Sequence, residues 1–188
     1  MWYKVLRNII SVVYHVLYRF EVTGAENIPA DGGVILCGNH RSNNDAIFLA
    51  VCQKRQISFM GKDSLFKIPV LGFILKKVGA FAVKRGTGDI GAVRKAVEIL
   101  NGGNMISIFP EGTRNKTNEP LIEFKTGAAF IAYKANAYIV PVGITGSCVP
   151  FSKVKVSFGD AYKIESNTKP DVNYETQILK DRVLNLIK

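Results

Sequence analysis

Apolar residues recur at helical spacing through the first part of the chain. Trp2, Val5, Leu6, Ile9, Val13, Val16, Leu17 and Phe20 share one side of a wheel, opposite Lys4, Asn8, Ser11, His15 and Arg19. That period predicts an amphipathic helix over residues 1–20. A transmembrane span needs about 20 mostly uncharged residues and a signal peptide needs an unbroken apolar centre. Lys4, Arg7 and Arg19 exclude both. The apolar side must therefore lie on a core or in a membrane interface, and the two are compatible. The aromatic and basic mixture of Trp2, Tyr3, Lys4 and Arg7 suits the interface.

Beyond it the period alternates between buried strand and helix. Turn chemistry fills residues 24–33 (GAENIPADGG), and the apolar run 34–37 reads as a strand. Residues 45–51 (DAIFLAV) read as a helix, 57–60 as a strand, 69–78 (PVLGFILKKV) as a helix opened by proline, and 80–83 as a strand. An amphipathic helix over 89–100 closes at Asn101, Gly102 and Gly103, before a strand at 105–109 (MISIF). A small-residue helix at 124–135, strands at 138–142 and 154–158, and a helix from Tyr174 onward complete the series. Repeated strand and helix units predict one α/β domain over residues 1–188, with a mixed, largely parallel sheet flanked by helices. In such folds ligands collect beyond the carboxyl ends of the strands.

Composition narrows the chemistry. A length of 188 residues suits one core, and 25 basic against 15 acidic residues give a formal charge of +10. That charge favours anionic partners: lipid surfaces, phosphate esters, coenzyme A, acyl carrier protein or nucleic acid. The basic residues are scattered and match no nucleic-acid motif, so nucleic acid is the least favoured. Cys37, Cys52 and Cys148 are odd in number, lack CxxC spacing and sit beside apolar residues, so they predict buried reduced thiols in a cytosol-facing compartment and no metal site.

Three strand ends carry candidate chemistry. His40 follows the first buried strand and Asp45 opens the next helix, within NHRSNND. Along one continuous helix a five-residue separation would hold them about 7.5 Å apart on different faces. The intervening RSNN is turn and cap chemistry, with Ser42, Asn43 and Asn44 all able to cap, so the chain can curl and bring the carboxylate to the imidazole. Asp45 would then fix the tautomer and leave the other ring nitrogen to take a proton. FPEGTRN follows another strand and offers Gly112 for close backbone approach, Thr113 as a hydroxyl donor and Arg114 as a planar fork for phosphate. At the third strand end Lys84 and Arg85 alternate in direction. Arg85 is expected to reach the site and Lys84 to be solvated. His15, on the polar side of the first helix, has no expected role.

Four segments, in this order, resemble the signature blocks of the glycerolipid acyltransferases that include the bacterial 1-acylglycerol-3-phosphate enzymes: NHRSNNDAIFL, VGAFAVKRG, FPEGTRN and IVPVGI (139–144). They fall within residues 34–145, and FKTGAAFIAYKA resembles the helix that follows the third. The resemblance implies direct acyl transfer from acyl-CoA or acyl carrier protein to the hydroxyl of lysophosphatidic acid, giving phosphatidic acid for phospholipid synthesis. His40 would be the base and Asp45 its partner, Arg85 and Arg114 would bind phosphate, and Glu111, Gly112 and Thr113 would shape the acceptor site. No cofactor beyond the thioester co-substrate is implied. The setting would be peripheral, at the cytoplasmic face of an anionic membrane.

Ala82, where proline or a bulky residue is common, and Asn115, where serine is common, depart from the pattern and bear on the acceptor pocket. The chain is short for the family, so a substantial extra anchoring element is not expected. Main-chain N–H groups near Gly38 or Gly112 are candidate oxyanion donors. Three rivals stand beside this reading. They are the same chemistry on glycerol 3-phosphate, another lysophospholipid or a glycolipid; a cysteine or serine hydrolase, disfavoured by the lack of a GxSxG elbow; and a non-enzymatic module binding anionic membranes.

Overall fold

The computed structural model describes residues 2–84, 88–165 and 170–188. Helix α1 (Trp2–Leu17) leads into strand β1 (Arg19–Thr23), and β2 (Val34–Gly38) is followed by α2 (Asp45–Val51). Then come β3 (Ile57–Lys62), α3 (Asp63–Phe66), α4 (Pro69–Lys77), β4 (Phe81–Val83), α5 (Ile90–Asn101) and β5 (Met105–Ile108). Helix α6 (Gly127–Lys134), strands β6 (Tyr138–Gly146) and β7 (Lys153–Phe158) and helix α7 (Val172–Ile187) complete the chain. The strands form one seven-stranded sheet in the order β1-β7-β6-β2-β5-β3-β4. Among the described strands only the β6–β7 pair is antiparallel, as the alternating pattern predicts for a largely parallel sheet.

Strand alternation sorts the core into two layers. Val34 and Leu36 of β2 point toward α1 and α2, packing with Phe48, Leu49 and Tyr18. Ile35 and Cys37 point the other way, onto α5, α6 and α7, among Ala96, Ala128, Ile131 and Leu179. The central strands are apolar on both faces because helices cover both. Ala128, Ala129 and Ala132 are buried, and their small side chains let α6 approach closely.

The connections leaving the central strands diverge. From β2 the chain passes to α2 on one face, whereas from β5 it passes to α6 on the other. A crevice opens between them at the carboxyl ends of β2 and β5.

The first helix differs from its sequence reading in two ways. It ends at Leu17, and residues 19–23 form an edge strand whose Arg19 N–H donates to Ser152 O (3.0 Å) before the parallel ladder with β7 begins. Phe20 keeps the helical apolar spacing but packs from a strand, because the β7 edge supplies main-chain partners that a further helical turn would forgo. Nor does the apolar stripe meet one environment. Tyr3 is buried, and Leu6, Ile10, Tyr14 and Leu17 are half-buried inward, whereas Trp2, Val5, Ile9, Val12, Val13 and Val16 remain exposed. Helix α3 was not anticipated. Helix α7 starts at Val172, where the Asp171 carboxylate accepts the N–H groups of Asn173 (2.9 Å) and Tyr174 (3.3 Å).

Candidate active site

His40 and Asp45 meet at the crevice. His40 Nδ1 lies 2.9 Å from Asp45 Oδ2, and the same oxygen accepts the N–H groups of Arg41 (2.7 Å) and Ser42 (2.8 Å). The turn curls as its composition predicts, but by a different device. None of the three polar residues caps α2 through its side chain. Asn44 occupies the cap position without a side-chain cap bond, and Ser42 Oγ accepts only from Asn44 N (3.1 Å). The carboxylate of Asp45 itself gathers the turn's N–H groups. A carboxylate only accepts, so Nδ1 carries the proton and Nε2 is left as the basic nitrogen. Asp45 is buried at 2% exposure, and the His40 ring stacks on Phe109 with centroids 4.2 Å apart and planes 12° from parallel. One ring face and the tautomer are thereby constrained.

The main chain of His40 is held as firmly as its ring. Glu111 Oε1 accepts the His40 N–H (2.6 Å), its Oε2 accepts the Ile122 N–H (3.2 Å), and the Asn115 N–H donates to His40 O (2.7 Å). Glu111 is 2% exposed. Burial pushes its carboxyl above the usual carboxylate range, against the opposing pull of those two N–H groups and of the nearby His40 and Arg41 side chains. Asn115, the departure from the expected serine, is buried as well. Its side chain bonds Glu119 O and the N–H and hydroxyl of Thr117, closing the turn.

A cavity of about 260 Å³ opens beside His40, lined by apolar Met60, Val93, Ile108, Phe109 and Ile131 and by Gly112, Lys84 and Lys125. Gly112 has φ +68°, and a Cβ there would stand 3.0 Å from Lys125 Nζ, so glycine both permits the turn and lets the lysine cross it. Its N–H is committed to Phe109 O (2.9 Å), which removes it from the candidate oxyanion donors. Thr113 and Arg114 are exposed on the same loop. Arg85 lies outside the described residues. Lys84 is exposed, as expected, and also lines the mouth of the cavity, with its N–H held by Asp89 Oδ2 (2.9 Å). Lys125 was not singled out from the sequence. The signal was available in FKTGAA, a lysine just ahead of a small-residue helix that follows the anion-binding loop.

Cys37 carries no chemistry here. It is fully buried, and burial drives its thiol far above its ordinary range, so it is no thiolate nucleophile. Cys52 is pushed up to about 12 by the same cause.

Comparison with known proteins bears on the family and the fold. The chain is 34% identical to the 1-acyl-sn-glycerol-3-phosphate acyltransferase of Bacillus subtilis, over 77% of this chain and 71% of that one. It is 29% identical to the protein of the same name in Borreliella burgdorferi, over 90% of this chain and 72% of that one. The crystal structure of the 1-acyl-sn-glycerophosphate acyltransferase PlsC of Thermotoga maritima superimposes with a TM-score of 0.78 at 24% identity, covering 97% of this chain and 78% of that one, and so shares its fold. The Acyltransferase family model matches residues 19–145. That span holds the His40–Asp45 turn, the FPEGTRN loop that grips it and the strands beneath both, and the chain belongs to the acyltransferase family.

Proposed function

We propose that the protein transfers a fatty acyl group from a thioester, acyl-CoA or acyl carrier protein, to the free hydroxyl of 1-acylglycerol 3-phosphate, yielding phosphatidic acid. The observation that carries the reading is the His40 Nδ1 to Asp45 Oδ2 contact at the mouth of an apolar cavity. The acceptor hydroxyl gives its proton to His40 Nε2 as its oxygen attacks the thioester carbonyl. The C–O bond forms, the tetrahedral centre collapses with cleavage of C–S, and the departing sulfur takes the proton back from the imidazolium. Asp45 orients the ring and stabilises its charged state. A positioned base of this kind contributes about 10² to 10⁴ in rate. The apolar cavity suits an acyl chain, and Lys84, Lys125 and Arg114 offer positive charge for the acceptor phosphate.

The relatives' printed names support lysophosphatidic acid as acceptor. The test is a thioester-consumption assay with purified protein, both donors, and a panel of glycerol 3-phosphate, lysophosphatidic acid, neutral lysophospholipids and glycolipids. We expect turnover with lysophosphatidic acid, its abolition in His40→Ala, and a raised acceptor KM with smaller loss of kcat in Arg114→Ala. Full activity in folded His40→Ala sinks the mechanism, and preference for an acceptor without phosphate sinks the substrate assignment.

The same reading places the protein at the cytoplasmic face of an anionic membrane. Two features support it: the exposed apolar residues of α1, together with the net charge of +10. Among the described residues no helix is long and apolar enough to cross a membrane.

A further inference from the structure

Helix α2 begins with Asp45 and has only seven residues, with no side-chain cap at its start and no basic residue in its last turn. A helix that short is not self-supporting in water. Beyond the packing of Phe48 and Leu49 on the sheet, its polar ends are held by α1 and by Tyr18, the residue that follows α1. At its start, Tyr14 Oη donates to Asn44 Oδ1 (3.2 Å), and Asn44 Nδ2 donates to Tyr18 Oη (3.3 Å). One turn past Asp45, the fully buried Phe48 meets the rings of Tyr14 and Tyr18 edge-on, at 6.0 Å and 5.1 Å between centroids. At its end, Arg7 Nε donates to Ala50 O (2.9 Å) and, just past the helix, Arg7 Nη2 donates to Gln53 O (2.5 Å), setting beside the C-terminus the charge that α2 lacks.

We infer that α1 is a positioning element of the active site, with Arg7 and Tyr14 as positioning residues that set the place of Asp45 and, through it, the tautomer and aim of His40. Because Asp45 is the first residue of α2, any tilt or slide of that helix moves Oδ2 relative to Nδ1. Acyl transfer depends on a ring held to a fraction of an ångström, so a loosened α2 lowers the chemical step while leaving the cavity that binds the substrates intact. The first helix is then required for turnover even where no membrane is present.

This rests on the acyl-transfer reading, and the test separates the two. Full-length protein is assayed with short-chain acyl-CoA and short-chain 1-acylglycerol 3-phosphate, both dispersed as monomers, so that no lipid surface takes part. Tyr14→Phe keeps the ring against Phe48 and removes only the hydroxyl. We expect its kcat to fall roughly tenfold with both KM values within about twofold of wild type. Arg7→Gln should show the same split. Tyr14→Phe combined with Asn44→Ala should be no slower than Asn44→Ala alone, since Asn44→Ala already removes the contact that Tyr14→Phe removes. Wild-type kcat per folded molecule in Tyr14→Phe and Arg7→Gln overturns the inference, whatever their melting temperatures. So does a loss confined to KM. Failure of the acyl-transfer reading would look different: no turnover in the wild type, or full turnover in His40→Ala.

Discussion

The N–H of His40 is accepted by a carboxylate 71 residues along the chain, and the sequence offers no hint of that pairing. HxxxxD was legible because both partners and the polar turn between them are local, and turn chemistry can be read residue by residue. The role of Glu111 was not, since its partners are main-chain amides and any residue supplies one. The same holds for Asn115, which looked like a variation at the acceptor site and is a buried fastener of the turn. The Glu111→Gln variant tests this reading. An amide has one accepting oxygen, so it leaves either the His40 or the Ile122 N–H facing another donor, at a cost of about 1–3 kcal/mol. The pH dependence has a definite sign. Because burial raises Glu111 in the folded state, its contribution to stability is fully present below the ordinary carboxylate value and is lost as pH rises through the raised one. Urea unfolding across a pH series should show the wild type's margin over Glu111→Gln to be largest at acid pH and to shrink as pH increases.

At the scale of elements, the buried strands and the helices between them followed from period and punctuation, whereas β1 and α3 did not. Residues 19–23 (RFEVT) alternate weakly and continue the helical spacing before them, so only the waiting edge of β7 decides their state. Residues 63–66 make a single short turn of helix, too brief for a period to show. The fourth family-like segment, IVPVGI, read as part of the functional blocks. Its glycine serves packing: a Cβ on Gly143 would stand 2.7 Å from Leu186 Cβ and 2.8 Å from Leu186 O on α7. Gly143→Ala should push α7 off β6 and destabilise the protein by about 1–3 kcal/mol, read as a lowered urea midpoint.

For the whole molecule, charge and amphipathicity pointed to a lipid surface, but periodicity could not say which side of α1 was free. Both sides carry apolar residues, and only the packing of Tyr3, Tyr14 and Leu17 shows which is taken. Val12 and Val16, at 69% and 70% exposure, are on the free side. Replacing both with aspartate should lower affinity for anionic vesicles about tenfold in a flotation assay, through lost apolar burial and added like charge. Raising salt should weaken the wild type on anionic vesicles and leave any binding to neutral ones little changed. Unchanged flotation of the double variant would remove α1 from the interface.

Asn39 precedes His40 and is buried, its side-chain amide exchanging two hydrogen bonds with the main chain of Ile144: Nδ2 to Ile144 O (2.9 Å) and Ile144 N to Oδ1 (2.7 Å). The side chain thus adds one rung to the β2–β6 ladder after the backbone has turned away toward the catalytic residue. Such a rung needs an amide, which presents a donor and an acceptor side by side. Hydrolysis of this amide to a carboxylate would turn the donor facing Ile144 O into an acceptor, unseating the strand end on which His40 stands. Asn39→Asp, which makes that same change, should lose activity with the imidazole itself untouched.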